Sequence, residues 1–169
     1  MKFNKLLDSP IIKNHTGVKL REAVRAIIFK KNKILLVHSS RGDYKLPGGG
    51  VEEDESYAEA LVREVSEETG YIYCNVKDLI GIVTERKMDE FANGHVFQMT
   101  SQYYLCELTN EETVDLELDA YESVLEFTSK WVDIEDAIKQ NESLITQFEN
   151  NSWLIREAYV LNEVKKYIK

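Results

Sequence analysis

Three consecutive glycines, Gly48 to Gly50, stand directly before an acidic helical segment and constrain the fold more than any other feature of the chain. Glycine lacks a Cβ, so this run interrupts regular structure and lets the backbone approach a ligand closely. The segment that follows, residues 55–69, has helical spacing, and Gly70 stands where a C-terminal helix cap is expected. The sequence therefore predicts a loop, then a helix with a defined end.

The predicted helix separates its apolar and acidic side chains, because each residue turns the chain by about 100°. Glu64, Glu67 and Glu68 are spaced three and four residues apart and gather on one face. This face is interpreted either as a solvated acidic surface or as a site for a hard cation such as Mg²⁺. A neighbouring apolar face is expected to pack on the core, and it consists of Ala58, Leu61, Val62, Val65 and Thr69.

The net charge of −9 is distributed unevenly along the chain. Residues 49–71 contain eight acidic residues and one base, Arg63, and residues 105–129 contain eight acidic residues and no base. The first 45 residues contain 11 bases and three acids. A uniformly acidic surface would discourage nonspecific binding to nucleic acid, whereas a concentrated acidic cluster within a structured segment favours a bound cation.

Length and composition indicate one globular domain over residues 1–169, with an N-terminal extension at 1–16 and a C-terminal helix at 151–168. The longest apolar runs have four residues, against about 20 for a membrane helix. The basic start lacks the apolar stretch of a signal peptide, so we expect a cytoplasmic protein with no membrane partner. Cys74 and Cys106 are expected to be free thiols.

Alternating apolar and polar residues predict strands on both sides of the helix. The predicted strands, the first two of which form a hairpin, are residues 18–29, 33–40, 71–87, 95–109 and 127–132. The acidic stretch 109–123 is expected to be an exposed loop, and a further helix is expected to begin near Asp133.

From Gly49 onwards the sequence follows the pattern G-x5-E-x7-R-E-V-x-E-E-x-G-Y. This pattern resembles the signature of the Nudix hydrolases, G-x5-E-x7-R-E-U-x-E-E-x-G-U, in which U is aliphatic. Eight of the nine fixed positions match, and Tyr71 stands at the last aliphatic position, where it affects packing rather than chemistry. The resemblance covers about residues 18–140, including the hairpin, Tyr44 before LPGG, and the segment WVDIEDAIK.

The resemblance implies an α+β Nudix fold, an α/β/α sandwich with a central mixed β-sheet. It also implies a pyrophosphohydrolase that uses Mg²⁺ or Mn²⁺ and water to cleave a nucleoside diphosphate linked to another group. The implied metal ligands are the carbonyl of Gly49 and the carboxylates of Glu64, Glu67 and Glu68. Arg63, which orients the neighbouring glutamates, and Glu55 complete the implied catalytic set.

Residues outside the motif supply the remaining contacts to substrate. Lys19, Arg21 and Arg25 share one face of the first predicted strand, and Arg25 is the first candidate for binding a phosphate, with Arg86 next. Tyr44 or Phe97 could stack on the base or terminal group of the substrate. The general base is a glutamate of the motif or an acid outside it. Glu85 is the first candidate outside the motif, and the others are Asp89, Glu90, Glu111, Glu112 and Glu122.

Several alternatives stay open at this point. The substrate is a nucleotide sugar such as ADP-ribose or a nucleoside triphosphate, including an oxidised one. A non-catalytic nucleotide-binding or regulatory module is the alternative from another class, although such proteins usually lose glutamates of the motif and this chain keeps them. An RNA-cap hydrolase would need a basic channel, so no stable nucleic-acid partner is expected. Monomer and homodimer are both compatible with the sequence.

Overall fold

A computed structural model of the chain describes residues 1–9, 16–89, 91, 94–148 and 151–167. The helices in these ranges are α1 (Tyr57–Thr69), α2 (Ala120–Val124), α3 (Ile134–Leu144) and α4 (Ser152–Lys165). The strands are β1 (Phe3–Asp8), β2 (Gly17–Lys30), β3 (Lys33–His38), β4 (Tyr44–Lys45), β5 (Cys74–Met88), β6 (His95–Leu108) and β7 (Thr128–Val132).

The strands form one mixed sheet in the order β1-β5-β6-β2-β3-β4, with β7 paired to β3. Strand β1 runs parallel to β5, and β2 runs parallel to β6, whereas the other pairs are antiparallel. The predicted hairpin of β2 and β3 is confirmed, and so is the prediction of a mixed sheet. The long strands β2, β5 and β6 form the centre on which the helices pack.

Alternate residues of β2 face two different helical layers. Val24 and Ala26 pack against α1 in one apolar cluster, whereas Ile27 packs in a second cluster against α3 and α4. This alternation follows from the two-residue period of a strand. Because helices cover both faces of the sheet, the predicted α/β/α sandwich is confirmed.

The helix of the motif begins and ends at local signals in its own sequence. Ser56 caps its N-terminus in a reciprocal capping box with Glu59, and Gly70 ends it with φ of 80°, in the left-handed region. The predicted core face is wrong in one respect. Ala58 is exposed and Ala60 is buried, so the packed face is rotated and the side chains of Glu64 and Glu68 lie on its buried side.

The acidic stretch 109–123 is more ordered than the exposed loop that the sequence predicts. Its end forms helix α2, which begins with a capping box between Asp119 and Glu122. The reason is local, since the D-x-x-E pattern satisfies two backbone N–H groups at the start of a helix.

The two ends of the chain pack on the sheet. Strand β1 is an edge strand within the predicted extension, and α4 lies within the C-terminal helix predicted at 151–168, whose last residue is outside the described part of the chain. Leu161 and Val164 of α4 belong to the core. Cys74 and Cys106 are free thiols. The described residues contain no helix with the length and apolar character that a membrane crossing requires.

A buried ion-pair network fixes α4 to the rest of the fold. Arg156 donates to Glu85 of β5 (Nη1 to Oε2, 2.7 Å) and to Glu157 (Nη2 to Oε1, 2.8 Å). The other oxygen of Glu157, Oε2, accepts from the backbone N–H of Leu46 (3.0 Å). Glu157 is fully buried, and its removal would leave the Leu46 N–H and the Nε and Nη2 donors of Arg156 without these partners.

Replacing Glu157 with alanine is expected to lower the free energy of unfolding by about 3–5 kcal/mol, the cost of breaking a buried ion pair from one side. The matched control is Glu135→Ala, which removes an exposed ion pair to Lys165 and is expected to cost about 1 kcal/mol or less. Urea unfolding measures both, and equal losses would contradict the role assigned to Glu157.

Candidate active site

The glycine segment, residues 46–50, runs beside β2 along the part of its edge that does not pair with β3. Backbone N–H groups of Ala26 and Val24 donate to the carbonyl oxygens of Pro47 (2.8 Å) and Gly49 (3.0 Å). Gly48 has φ of 137°, and a Cβ there would collide with the carbonyl oxygen of Val24. Glycine is required at this position because of both its conformation and its close contact with the strand.

Gly49 lies against the motif helix. A Cβ at Gly49 would collide with the carboxylate of Glu64, so the missing side chain leaves room for that carboxylate. The Gly49 carbonyl accepts the hydrogen bond from Val24 and keeps a second lone pair. Its role as a metal ligand stays a prediction.

Glu64 and Glu68 are buried carboxylates that face this segment. Glu68 accepts from the N–H of Gly48 (Oε2, 2.7 Å). Burial raises the pKa of Glu68 well above its usual range, and the nearby Arg25 and the Gly48 N–H oppose this shift. Burial also raises the pKa of Glu64, although Arg63 opposes it. Two acids with raised pKa values side by side make this an unfavourable place for negative charge without a cation.

Arg63 holds the acids of the motif in place. Its Nη2 and Nε donate to the two oxygens of Glu55 (2.6 and 3.1 Å), and its Nη1 donates to Glu64 (2.8 Å) and Glu67 (3.1 Å). Nη2 also donates to the carbonyl of Gly50 (3.1 Å). The hydrogen bonds from Arg63 hold the pKa of Glu55 below its usual range. Arg63 is therefore placed to orient the carboxylates, and its catalytic role stays a prediction.

The acidic stretch 109–123, which follows β6 in the chain, contributes a third carboxylate. Its backbone is tied to the end of α1, because the N–H of Val114 donates to Gly70 and the N–H of Glu117 donates to Glu67. Glu122 follows at the start of α2. The carboxylate oxygens of Glu64, Glu68 and Glu122 offer ligand atoms that all lie within 4.8 Å of one another.

Glu64 and Glu122 line a cleft of about 290 Å³, and Glu68 lies beside them in the carboxylate cluster. Three convergent carboxylates form an all-oxygen donor set, which is the set that Mg²⁺ and Mn²⁺ prefer. The residues present therefore fit a hard divalent cation. The cleft is lined by Arg21, Gly50, Val51, Glu52, Arg63, Glu64, Glu67, Glu117, Asp119 and Glu122.

Glu85 and Arg86, predicted outside the motif, are engaged with other residues. Glu85 accepts from the buried Arg156 and does not belong to the carboxylate cluster. Arg86 forms two hydrogen bonds of 2.5 Å with Asp8 of the edge strand. Their roles in catalysis and substrate binding stay predictions.

Arg25 lies near the buried acids of the motif, whereas Tyr44 packs on the apolar cluster of α3 and α4. The ring of Tyr44 packs against His38, with ring centroids 4.8 Å apart, and its backbone is bracketed by the side chain of Asn141. Arg25 acts electrostatically on Glu64 and Glu68, as the pKa values of both show. Both residues stay predicted substrate contacts.

Glu122 is the acid whose position the sequence did not single out. It was one of six outside candidates for the general base, behind Glu85, and Glu90 of that group lies outside the described residues. The D-x-x-E capping box is the available local signal, because it predicts that a helix begins after Asp119, although it does not give the position of Glu122 relative to α1.

Replacing Glu68 with glutamine is expected to stabilise the protein in EDTA. The change removes a buried charge from the cluster, and the amide oxygen can still accept from Gly48. We expect a rise in Tm of about 2–4 °C, the shift that about 1 kcal/mol produces in a domain of this size. Millimolar Mn²⁺ should raise the wild-type Tm by binding the folded state and should raise that of the variant less.

Thermal unfolding with and without Mn²⁺ tests this expectation. Glu53→Gln is the control, because it removes the same charge from an exposed position within the same segment, residues 49–71. A Glu68→Gln protein that is less stable in EDTA and responds to Mn²⁺ like the wild type would contradict the assignment.

Comparison with known proteins agrees with the motif. The family model described as NUDIX domain matches residues 19–152. The chain is similar to an ADP-ribose pyrophosphatase of Methanocaldococcus jannaschii, with 40% identity over 57% of this chain and 62% of that protein. It is also similar to a probable DHNTP pyrophosphohydrolase of Lactococcus lactis, with 30% identity over 59% of this chain and 61% of that protein. The matched part thus spans about three fifths of these relatives.

Solved structures of low sequence identity share the fold. A NUDIX hydrolase from Nitrosomonas europaea aligns with a TM-score of 0.56 and 22% identity over 88% of this chain and 91% of that chain. A binary complex of the C. elegans Ap4A hydrolase aligns with a TM-score of 0.55 and 20% identity over 87% of this chain and 96% of that chain. The family model covers most of the chain, and the motif lies within the matched range. The chain therefore belongs to the Nudix hydrolase family.

Proposed function

We propose that the protein hydrolyses the pyrophosphate bond of a nucleoside diphosphate derivative, with Mg²⁺ or Mn²⁺ as cofactor. The observation that carries this proposal is the convergence of Glu64, Glu68 and Glu122, whose carboxylate oxygens lie within 4.8 Å of one another. Two of these carboxylates are buried, and their raised pKa values agree with a site that needs a cation.

The residues of the chain have distinct tasks in this proposal. Glu64, Glu68 and Glu122 would hold the cation, while Arg63 and the Gly48 N–H fix the orientation of the first two. Bound Mg²⁺ or Mn²⁺ would neutralise pyrophosphate charge and lower the pKa of a water molecule. The burial of Glu64 and Glu68 strengthens these interactions, because charges beside buried groups act over a lower effective dielectric than in bulk water.

The general base is assigned in this proposal to a carboxylate of the cleft rather than to Glu85. Glu67 lines the cleft, is half-buried, and is held by one hydrogen bond from Arg63 (3.1 Å). By contrast, the Glu85 carboxylate is tied to Arg156 in a buried ion pair.

ADP-ribose is the first candidate substrate. It contains a pyrophosphate between two organic groups, and the archaeal relative at 40% identity is named for this activity. A pterin or nucleoside triphosphate is the second candidate, favoured by the relative at 30% identity that is named a probable DHNTP pyrophosphohydrolase. Both substrates present a phosphoanhydride to the same carboxylate cluster.

A turnover screen with Mg²⁺ and with Mn²⁺ tests the proposed function. ADP-ribose should yield AMP and ribose 5-phosphate, and dihydroneopterin triphosphate is assayed beside it. Glu68→Gln should lower the rate at least about 10²-fold, the scale of losing a main electrostatic stabiliser. Equal activity of the two proteins would reject the metal assignment, and bound metal without turnover of either substrate would favour the regulatory module.

Replacing Glu122 with glutamine is expected to lower kcat by at least about 10²-fold, because the cluster loses one charged ligand. Glu111→Gln is the matched control, since Glu111 belongs to the same acidic segment but pairs with Lys30 outside the cleft. Steady-state kinetics distinguish the two variants. A loss from Glu85→Gln as large as that from Glu122→Gln, at equal stability, would return the general base to Glu85.

A further inference from the structure

Arg21 is a cation at the rim of the acidic cleft that the Nudix motif does not include. We propose that Arg21 binds a phosphate group of the substrate and thereby contributes to affinity for the pyrophosphate unit. This inference rests on the proposed function, because it concerns the substrate of the same cleft.

Gly50 makes room for the Arg21 guanidinium. A Cβ at Gly50 would lie 2.8 Å from Nη2 and 3.1 Å from Nε of Arg21. The carbonyl of Gly50 accepts from Arg63 (3.1 Å), so two guanidinium groups contact the same glycine. The third glycine of the run therefore has a contact of its own, distinct from those of Gly48 and Gly49.

Arg21 has free donors although it lines an acidic cleft. Among the residues that the structure describes, it makes neither an ion pair nor a hydrogen bond, and its side chain is exposed. Arg63, the other base in the lining, donates to three carboxylates and one carbonyl. Arg21 thus has guanidinium N–H groups available for a ligand, whereas those of Arg63 are committed to the protein.

The other arginines that the sequence offers as phosphate ligands are less suited to this task. Arg86 is bound to Asp8 at the edge strand. Arg25 interacts electrostatically with the buried Glu64 and Glu68. Its Nε is buried without a hydrogen-bond partner among the described residues. Arg21 is the arginine of this group that lines the cleft together with Glu64 and Glu122.

The chemistry of pyrophosphate matches this arrangement. Its several negative oxygens would be repelled by the acidic walls unless cations compensate them. A guanidinium can donate two parallel hydrogen bonds to one phosphate and keeps its charge at any working pH. Arg21 would therefore bind phosphate oxygens that the carboxylate-held cation leaves uncovered.

Binding of inorganic pyrophosphate and of α,β-methylene-ADP in the presence of Mg²⁺, measured by calorimetry on the full chain, tests the proposal. Arg21→Ala should weaken both by about tenfold or more, the scale of lost hydrogen bonds to a charged group. Arg21→Lys should recover part of the affinity. Lys19→Ala, on the same strand face but outside the cleft lining, should stay within about twofold of the wild type.

Affinity for Mn²⁺ alone separates substrate binding from a structural role. It should be unchanged or higher in Arg21→Ala, because a nearby positive charge has been removed. The proposal would be overturned if Arg21→Ala bound both phosphate probes as tightly as the wild type, if Lys19→Ala lost as much affinity, or if Arg21→Ala lost Mn²⁺ binding. A wild type that binds neither probe would also overturn it. Arg21-dependent pyrophosphate binding without turnover of ADP-ribose would support Arg21 while rejecting the proposed substrate.

Discussion

The hydrogen bonds of the glycine segment connect both helical layers of the protein. The backbone N–H of Leu46 donates to Glu157 of α4, and two residues later the N–H of Gly48 donates to Glu68 of α1. Between these points the carbonyl of Pro47 accepts from β2. Helices on opposite faces of the sheet therefore position the same short segment. The site depends on this connection, because Gly48, Gly49 and Gly50 have no side chains that could hold them in place, whereas Leu46 is anchored in the core.

The buried negative charge of the site lowers the stability of the folded protein. Glu64 and Glu68 lie beside each other with raised pKa values, and Glu122 adds a third carboxylate. Arg63 compensates only part of this charge, since it also serves Glu55 and Glu67. Packing elsewhere must offset the repulsion until a cation binds, which agrees with the extensive apolar clusters on both faces of the sheet. A local excess of acid is thus tolerated at a functional site that the rest of the fold supports.

The sequence predicted the features that depend on neighbouring residues. The spacing from Gly49 to Gly70 and the alternation of β2 depend on short-range periodicity, so both could be recognised without a structure. The rotated face of α1 could not, because helical periodicity assigns acids to solvent and does not anticipate that Glu64 is buried against a glycine. The position of Glu122 depends on backbone hydrogen bonds between the acidic segment and the end of α1, a tertiary contact that no local pattern encodes.

The placement of the three carboxylates also bears on the order of folding. Glu64 and Glu68 precede the β5–β6 hairpin, and Glu122 follows it. The hairpin must therefore form, and the acidic segment must return across the end of α1, before the three groups can meet. Such long-range closure is slow compared with helix formation. The ability to capture a divalent ion would consequently arise only near the completion of folding, so that metal capture reports a finished tertiary structure rather than the helix alone.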